Sequence, residues 1–131
     1  MKKYLLLLCI TIFVACSNEK VFEVREYGIE PNGKNVSPLF ENLLQDIAEY
    51  KGNKPIVVKF DSGTYHFYDL GAFSREYYIS NHDQVNPKKV GVALESMRNL
   101  TLDGQGANFV FHGRMLPLSL VNSENCTLKN F

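Results

Sequence analysis

The chain of 131 residues has no tryptophan, only three cysteines and no excess of either charge, with fourteen Lys and Arg against fourteen Asp and Glu. Each absence excludes something. Without a basic excess there is no face for a nucleic-acid partner, and none is expected. The cysteines cannot build a disulfide framework. Cys9 lies in an amino-terminal apolar run, Cys16 follows that run, and Cys126 alone falls in the remainder. His66, His82 and His112 are far apart in the sequence and show no metal-ligand spacing, so no metal is expected.

Long hydrophobic runs are also missing, with one exception. Lys2 and Lys3 precede an apolar stretch at residues 4–14. It is too short to span a bilayer as a helix and reads as the core of a signal peptide. Phe13-Val14-Ala15-Cys16 resembles a bacterial lipoprotein box, which implies cleavage before Cys16 and a lipid on Cys16. An ordinary signal peptide with an incidental Cys16 is the alternative. Residues 1–15 take two lysines and no acid with them, so twelve basic residues then face fourteen acidic ones, a net charge of −2. The expected organisation is a signal peptide (1–15), a tether (16–20) and a β domain (21–131). The expected location is the cell envelope, with a lipid-anchored protein on the membrane, periplasmic or exposed at the outer surface.

What is present is patterned. Residues 21–27 alternate apolar and polar side chains, as a strand does. Pro31-Asn32-Gly33 marks a turn. Ser37 and Pro38 look like an N-cap and first helical residue, and Leu39, Phe40, Leu43, Leu44, Ile47 and Tyr50 follow at helical spacing. The spacing predicts a helix over 38–51, stopped near Gly52. Residues 56–60 form a short apolar strand bounded by Pro55 and Asp61-Ser62-Gly63.

The strongest pattern is a repeat. "VALESMRNLTLDG" (92–104) matches "LSLVNSENCTLKN" (118–130) at a constant offset of 26 without a gap. Val92 meets Leu118, Leu94 meets Leu120, Ser96 meets Asn122, Asn99 meets Asn125, Leu100 meets Cys126 and Leu102 meets Leu128. A period of 20–50 residues points to stacked repeats. Each copy holds two short alternating strands around a polar corner, and "ANFVFHG" supplies a third strand between them. A right-handed parallel β-helix with one amino-terminal capping α-helix is therefore expected. Equivalent residues would stand about 4.8 Å apart, the strand spacing. Inward Leu and Val would form columns, Asn99 and Asn125 a corner stack, and Cys126 a buried apolar position. Stacks need roughly three repeats, so the chain is expected to be the first part of a longer protein.

Three segments also carry a family resemblance: "VREYGIEPNGKNVSPLFENLLQDI", "IVVKFDSGTYHF" and "NLTLDGQGANFVFHG". Their order is similar to the opening of the pectate-lyase-like β-helix superfamily. The stretch from "YYISNHDQVNPKK" to the final "CTLKNF" resembles glycoside hydrolase family 110, the bacterial α-1,3-galactosidases. The resemblance runs from about Val21 to Phe131. It implies exo-removal of terminal α-1,3-linked galactose, including the blood-group B determinant, with inversion and without a cofactor. A lipid-anchored β-helical module that binds glycans without cleaving them is the alternative. A polysaccharide lyase would show basic residues for an acidic polymer, and this chain has no such excess.

No catalytic residue is assigned. Inverting hydrolysis needs two carboxyl groups about 6.5–9.5 Å apart, whereas equivalent positions on adjacent repeats stand only about 4.8 Å apart. The resemblance implies that the catalytic acids lie beyond Phe131. Asp61 and Asp103 precede glycine-containing corners and read as turn residues. Glu95 lies opposite Leu94 on an alternating strand and reads as solvated. Two polar loops are candidates for glycan contact. "SNHDQ" offers His82 and Asp83, or is a solvated loop. "FHGRM" offers His112 and Arg114, or serves structure.

One expectation follows at once. Mass spectrometry of the membrane fraction is expected to show a mature chain that starts at an acylated Cys16. A soluble protein with an unmodified Cys16 would refute it.

Overall fold

Among the described residues, 18–78 and 85–131 of a computed structural model, alternating segments form nine strands and one α-helix. The order is β1 (Lys20–Glu23), α1 (Phe40–Glu49), β2 (Ile56–Lys59), β3 (Gly63–Tyr68), β4 (Phe73–Arg75), β5 (Lys88–Glu95), β6 (Arg98–Asp103), β7 (Ala107–His112), β8 (Leu116–Val121) and β9 (Glu124–Lys129). The protein is mainly β. Its strands lie in three sheets, ordered β1-β2-β6-β9, β3-β7 and β4-β5-β8. Every pairing is parallel except β4 with β5.

The repeat register is observed. Val92 pairs with Leu118 and Leu94 with Leu120. Leu100 pairs with Cys126 and Leu102 with Leu128. The corners repeat as well. Ser96 and Asn122 take φ of 56° and 50°, and Asn99 and Asn125 take 51° and 54°. This is the left-handed region, which asparagine enters more readily than most residues. Asn125 Nδ2 donates to Asn99 Oδ1 at 2.6 Å, so the two amides stack as expected. Beside them the Ser123 hydroxyl accepts the Met97 N–H at 3.1 Å, and Arg98 pairs with Glu124.

The inward side chains of all three sheets meet in one core. Val58, Tyr65, Phe67, Leu94, Leu100 and Leu102 are buried. Phe60 sits edge-on to Tyr65 and Phe109, with ring centres 5.5 and 5.1 Å away. Helix α1 closes over this core through Phe40, Leu43, Leu44 and Ile47. Phe40 packs on Phe60 and Phe67. Burying each such side chain stabilises the fold by about 1.5–3 kcal/mol.

Several local expectations are corrected. The first strand ends at Glu23, and Val24–Tyr27 form a 3-10 turn. Gly28 closes that turn at φ 72°, so Val24 and Ile29 can both be buried. Helix α1 is shorter than 38–51, because residues Ser37–Leu39 form a 3-10 turn and Tyr50 is extended. Ser37 does not cap the helix. Its buried hydroxyl donates to the Tyr68 carbonyl at 2.8 Å and accepts the Tyr68 N–H at 2.9 Å, tying the helix entry to the end of β3. Asn35 Oδ1 takes the Ser37 N–H instead, at 3.0 Å.

Cys126 holds its expected register but is only partly buried. The reason is position in the stack. Leu102 is 2% exposed between β2 and β9, whereas Leu128 on β9 is 41% exposed with a strand on one side only. Leu118, Leu128, Phe109, Phe111 and Phe131 line an open apolar concavity of about 560 Å³ at this end.

The two leucines therefore separate register from burial. Leu102→Ala is expected to cost about 2–5 kcal/mol in urea unfolding, and Leu128→Ala about 1 kcal/mol or less. Equal losses at the two positions would refute the stacking order.

Candidate functional site

Two polar constellations lie on the outward faces of the sheets. The first is built on β3 and β7, which pair Gly63 with Ala107 and Tyr68 with His112. Tyr65 and Phe67 point into the core, so His66 and Tyr68 project outward. Across the ladder His112 stands beside both. His66 Nδ1 and His112 Nε2 are 2.8 Å apart. Their ring centres are 5.1 Å apart, and the planes differ by 24°. That separation exceeds ordinary face-to-face contact of about 3.5–4.0 Å, so the rings meet edge to edge. Tyr68 lies flat against His112, with centres 4.3 Å apart and planes 9° apart. Arg114, two residues on, is exposed.

The sequence treats His66 and His112 as distant, and the fold makes them neighbours. The signal that could have found them is the register of 44 between "GTYHFY" and "ANFVFH", visible in both β2–β6 and β3–β7. The 26-residue repeat hides it, because residues 69–87 lengthen the first turn of the chain. Of the candidate glycan contacts, His112 lies on this face, and Arg114 is exposed in the bend that follows β7. His82 and Asp83 lie outside the described residues, as does Cys16.

The second constellation fastens the long loop to the β5 face. Glu95, expected to be solvated, is half-buried and fully paired instead. Arg75 Nε and Nη2 donate to its two carboxylate oxygens at 2.7 and 2.9 Å. The Tyr77 hydroxyl donates to Glu95 Oε1 at 2.9 Å and lies 3.1 Å from the Ser119 hydroxyl. The Tyr77 N–H is taken by Asn86 Oδ1 at 3.2 Å, which joins the two arms of the loop. A two-pronged guanidinium clamp is stronger than a single contact. The sequence missed it because Arg75 and Glu95 are 20 residues apart and no local spacing joins them.

Asp103 behaves as a turn residue, as expected. Its Oδ1 accepts the Gln105 N–H at 3.2 Å and the Asn130 amide at 2.8 Å, and Lys129 lies 3.4 Å from Oδ2. Asp61 pairs with Arg25 at 3.3 Å, and its backbone is bracketed by the Tyr65 hydroxyl. Among the described residues no three metal-ligating side chains gather.

The clamp carries a pH dependence. The Arg75 hydrogen bonds, opposed by burial and aided by Tyr77, hold the Glu95 carboxyl below its usual range. A folded-state value below the unfolded one adds stability above the unfolded value, lost as pH falls through the folded one. Urea unfolding is therefore expected to show stability falling on acidification below about pH 5. Glu95→Gln should flatten that slope and lower stability at neutral pH. An unchanged slope would refute the role.

No family model matches the chain. Curated proteins do. Alpha-1,3-galactosidase B of Phocaeicola vulgatus is 54% identical over 134 residues, taking in 98% of this chain and 23% of that protein. Alpha-1,3-galactosidase B of Bacteroides fragilis is 50% identical over 128 residues, 96% of this chain and 22% of that protein. Alpha-1,3-galactosidase A of Shewanella woodyi is 37% identical over 116 residues, 88% of this chain and 18% of that protein. The chain thus spans about a fifth of the length of the curated relatives it matches. Identity of one half and more along nearly all its residues makes the chain similar to one stretch of these alpha-1,3-galactosidases, consistent with part of a glycoside hydrolase family 110 enzyme.

Proposed function

We propose that this chain forms the first repeats of a parallel β-helix α-1,3-galactosidase that removes terminal α-1,3-linked galactose from glycans by inverting hydrolysis. The observation that carries the reading is the 54% identity along 98% of the chain to a protein of that name. Parallel pairing at a constant register of 26 supports the β-helix, and α1 over the core supports its capping. Within the reading this segment is scaffold. Glu95, Asp103, Asp61 and Glu124 are each held by Arg75, Lys129 with Asn130, Arg25 and Arg98 respectively. None of the four is assigned as acid or base. Arg114, exposed in the bend after β7, is a proposed contact for sugar hydroxyls, with His112, His82 and Asp83 as further contacts. A lipid on Cys16 would hold the protein at the envelope. Among the described residues no helix is long and apolar enough to cross a membrane.

A domain exchange tests the reading. The corresponding segment of the Phocaeicola vulgatus relative is replaced by this chain, and galactose release from a terminal α-1,3-galactoside is measured. The chimera is expected to release galactose at a rate comparable with its parent, and the chain alone to release none. A chimera that folds, judged by circular dichroism and gel filtration, yet releases nothing would overturn the proposal. Release by the chain alone would overturn its scaffold role.

A further inference from the structure

We propose that the pocket between the end of α1 and the β5–β6 corner is a seat for one neutral pyranose sugar. The pocket measures about 370 Å³, within the range of small-ligand sites. Tyr50, Asn53 and Lys54 line it on one side, and Ser96, Arg98 and Asn99 on the other. Ile47, Ile56 and Met97, all buried, line it from the core. An apolar lining with a few polar groups is the usual make-up of a small-molecule site.

The chemistry of the two walls selects the ligand. Helix α1 ends at Glu49, so the carbonyls of its last turn have no further turn to accept from. Ala48 stands in that turn and lines the pocket. This end of a helix carries partial negative charge, which disfavours an anion. Lys54 and Arg98 disfavour a cation, and among the described residues no Asp or Glu lines the pocket. A neutral molecule rich in hydroxyls suits both walls, because each hydroxyl donates to a carbonyl and accepts from an amide or a cation. A pyranose adds an apolar C–H face to set against Ile47, Ile56 and Met97. The corner wall is held before any ligand arrives. The Ser123 hydroxyl accepts the Met97 N–H at 3.1 Å, and Glu124 holds Arg98. Asn99 Oδ1 is taken by the Asn125 amide, so Asn99 meets a ligand as a donor. A wall fixed in this way loses little entropy on binding. The pocket shares no residue with the β3–β7 face. This seat is therefore independent of the galactosidase reading, which is tested by galactose release, and either could fail alone.

The test titrates methyl α-D-galactopyranoside into the full isotope-labelled chain at neutral pH and follows the backbone amide signals by NMR. Shifts are expected at Ala48, Asn53 and Arg98, with a dissociation constant of about a millimolar, as suits a ligand of one ring. Ala48 is exposed on the helix, so Ala48→Phe fills the pocket without entering the core and is expected to weaken binding at least about tenfold. Asn53→Ala removes one hydrogen-bonding group and is expected to weaken it about threefold or more. Circular dichroism reports that the variants fold. If one does not, the other variant and the wild-type shifts decide. Shifts confined to other residues, none at tens of millimolar sugar, a stronger response of the same amides to sulfate, or a folded Ala48→Phe chain that binds within twofold of wild type would each overturn the proposal.

Discussion

Strands stacked in parallel, with like residues directly above like, are the constraint on which the rest of this molecule depends. Hydrogen bonds along the stack pair Leu100 with Cys126 and Val92 with Leu118. The same spacing brings side chains into columns, because parallel neighbours project the same face. Apolar positions become a continuous core, and the polar corner becomes an amide ladder from Asn99 to Asn125. The corner geometry is tied to this. A left-handed residue is needed wherever the chain turns between sheets, and Asn meets both demands, the positive φ and the axial hydrogen bond.

Burial in such a stack belongs to a position's neighbours more than to its residue type. Leu102 and Leu128 have the same side chain and the same register, yet one is sealed and the other open. The same holds for Leu94, buried, and Leu120, 48% exposed. At the other end the core is closed by α1, whose Phe40 reaches Phe60 and Phe67. Core closure at one end and an open apolar row at the other give the molecule a direction.

Polar clusters collect where the stack is interrupted or looks outward. Arg75 and Tyr77 fasten the segment between β3 and β5 through Glu95, and the Tyr77 hydroxyl also meets that of Ser119. On the β3–β7 face the outward row brings two imidazoles and a phenol together. Identity with the α-1,3-galactosidases extends through all these elements, since it covers 98% of the chain.

The amino-acid sequence by itself determined the features that depend on residues near each other or on exact repetition. These are the 26-residue register, the Asn corner, the strand of "ANFVFHG" and the apolar face of α1. The likeness to the α-1,3-galactosidases was legible too, because the motifs that carry it are contiguous. Only the tertiary structure decided the rest. The 3-10 turn at Val24–Tyr27 follows from burying Val24 and Ile29 together, and alternation alone cannot show that. Ser37 was legible as a cap, yet the Tyr68 backbone claimed its hydroxyl from 31 residues away. The partial exposure of Cys126 required knowing what lies above it. Arg75 with Glu95 and His66 with His112 are pairs that the fold brings together across 20 and 46 residues. No local period encodes such contacts, because the intervening loop sets the register and its length is invisible to a repeat of 26.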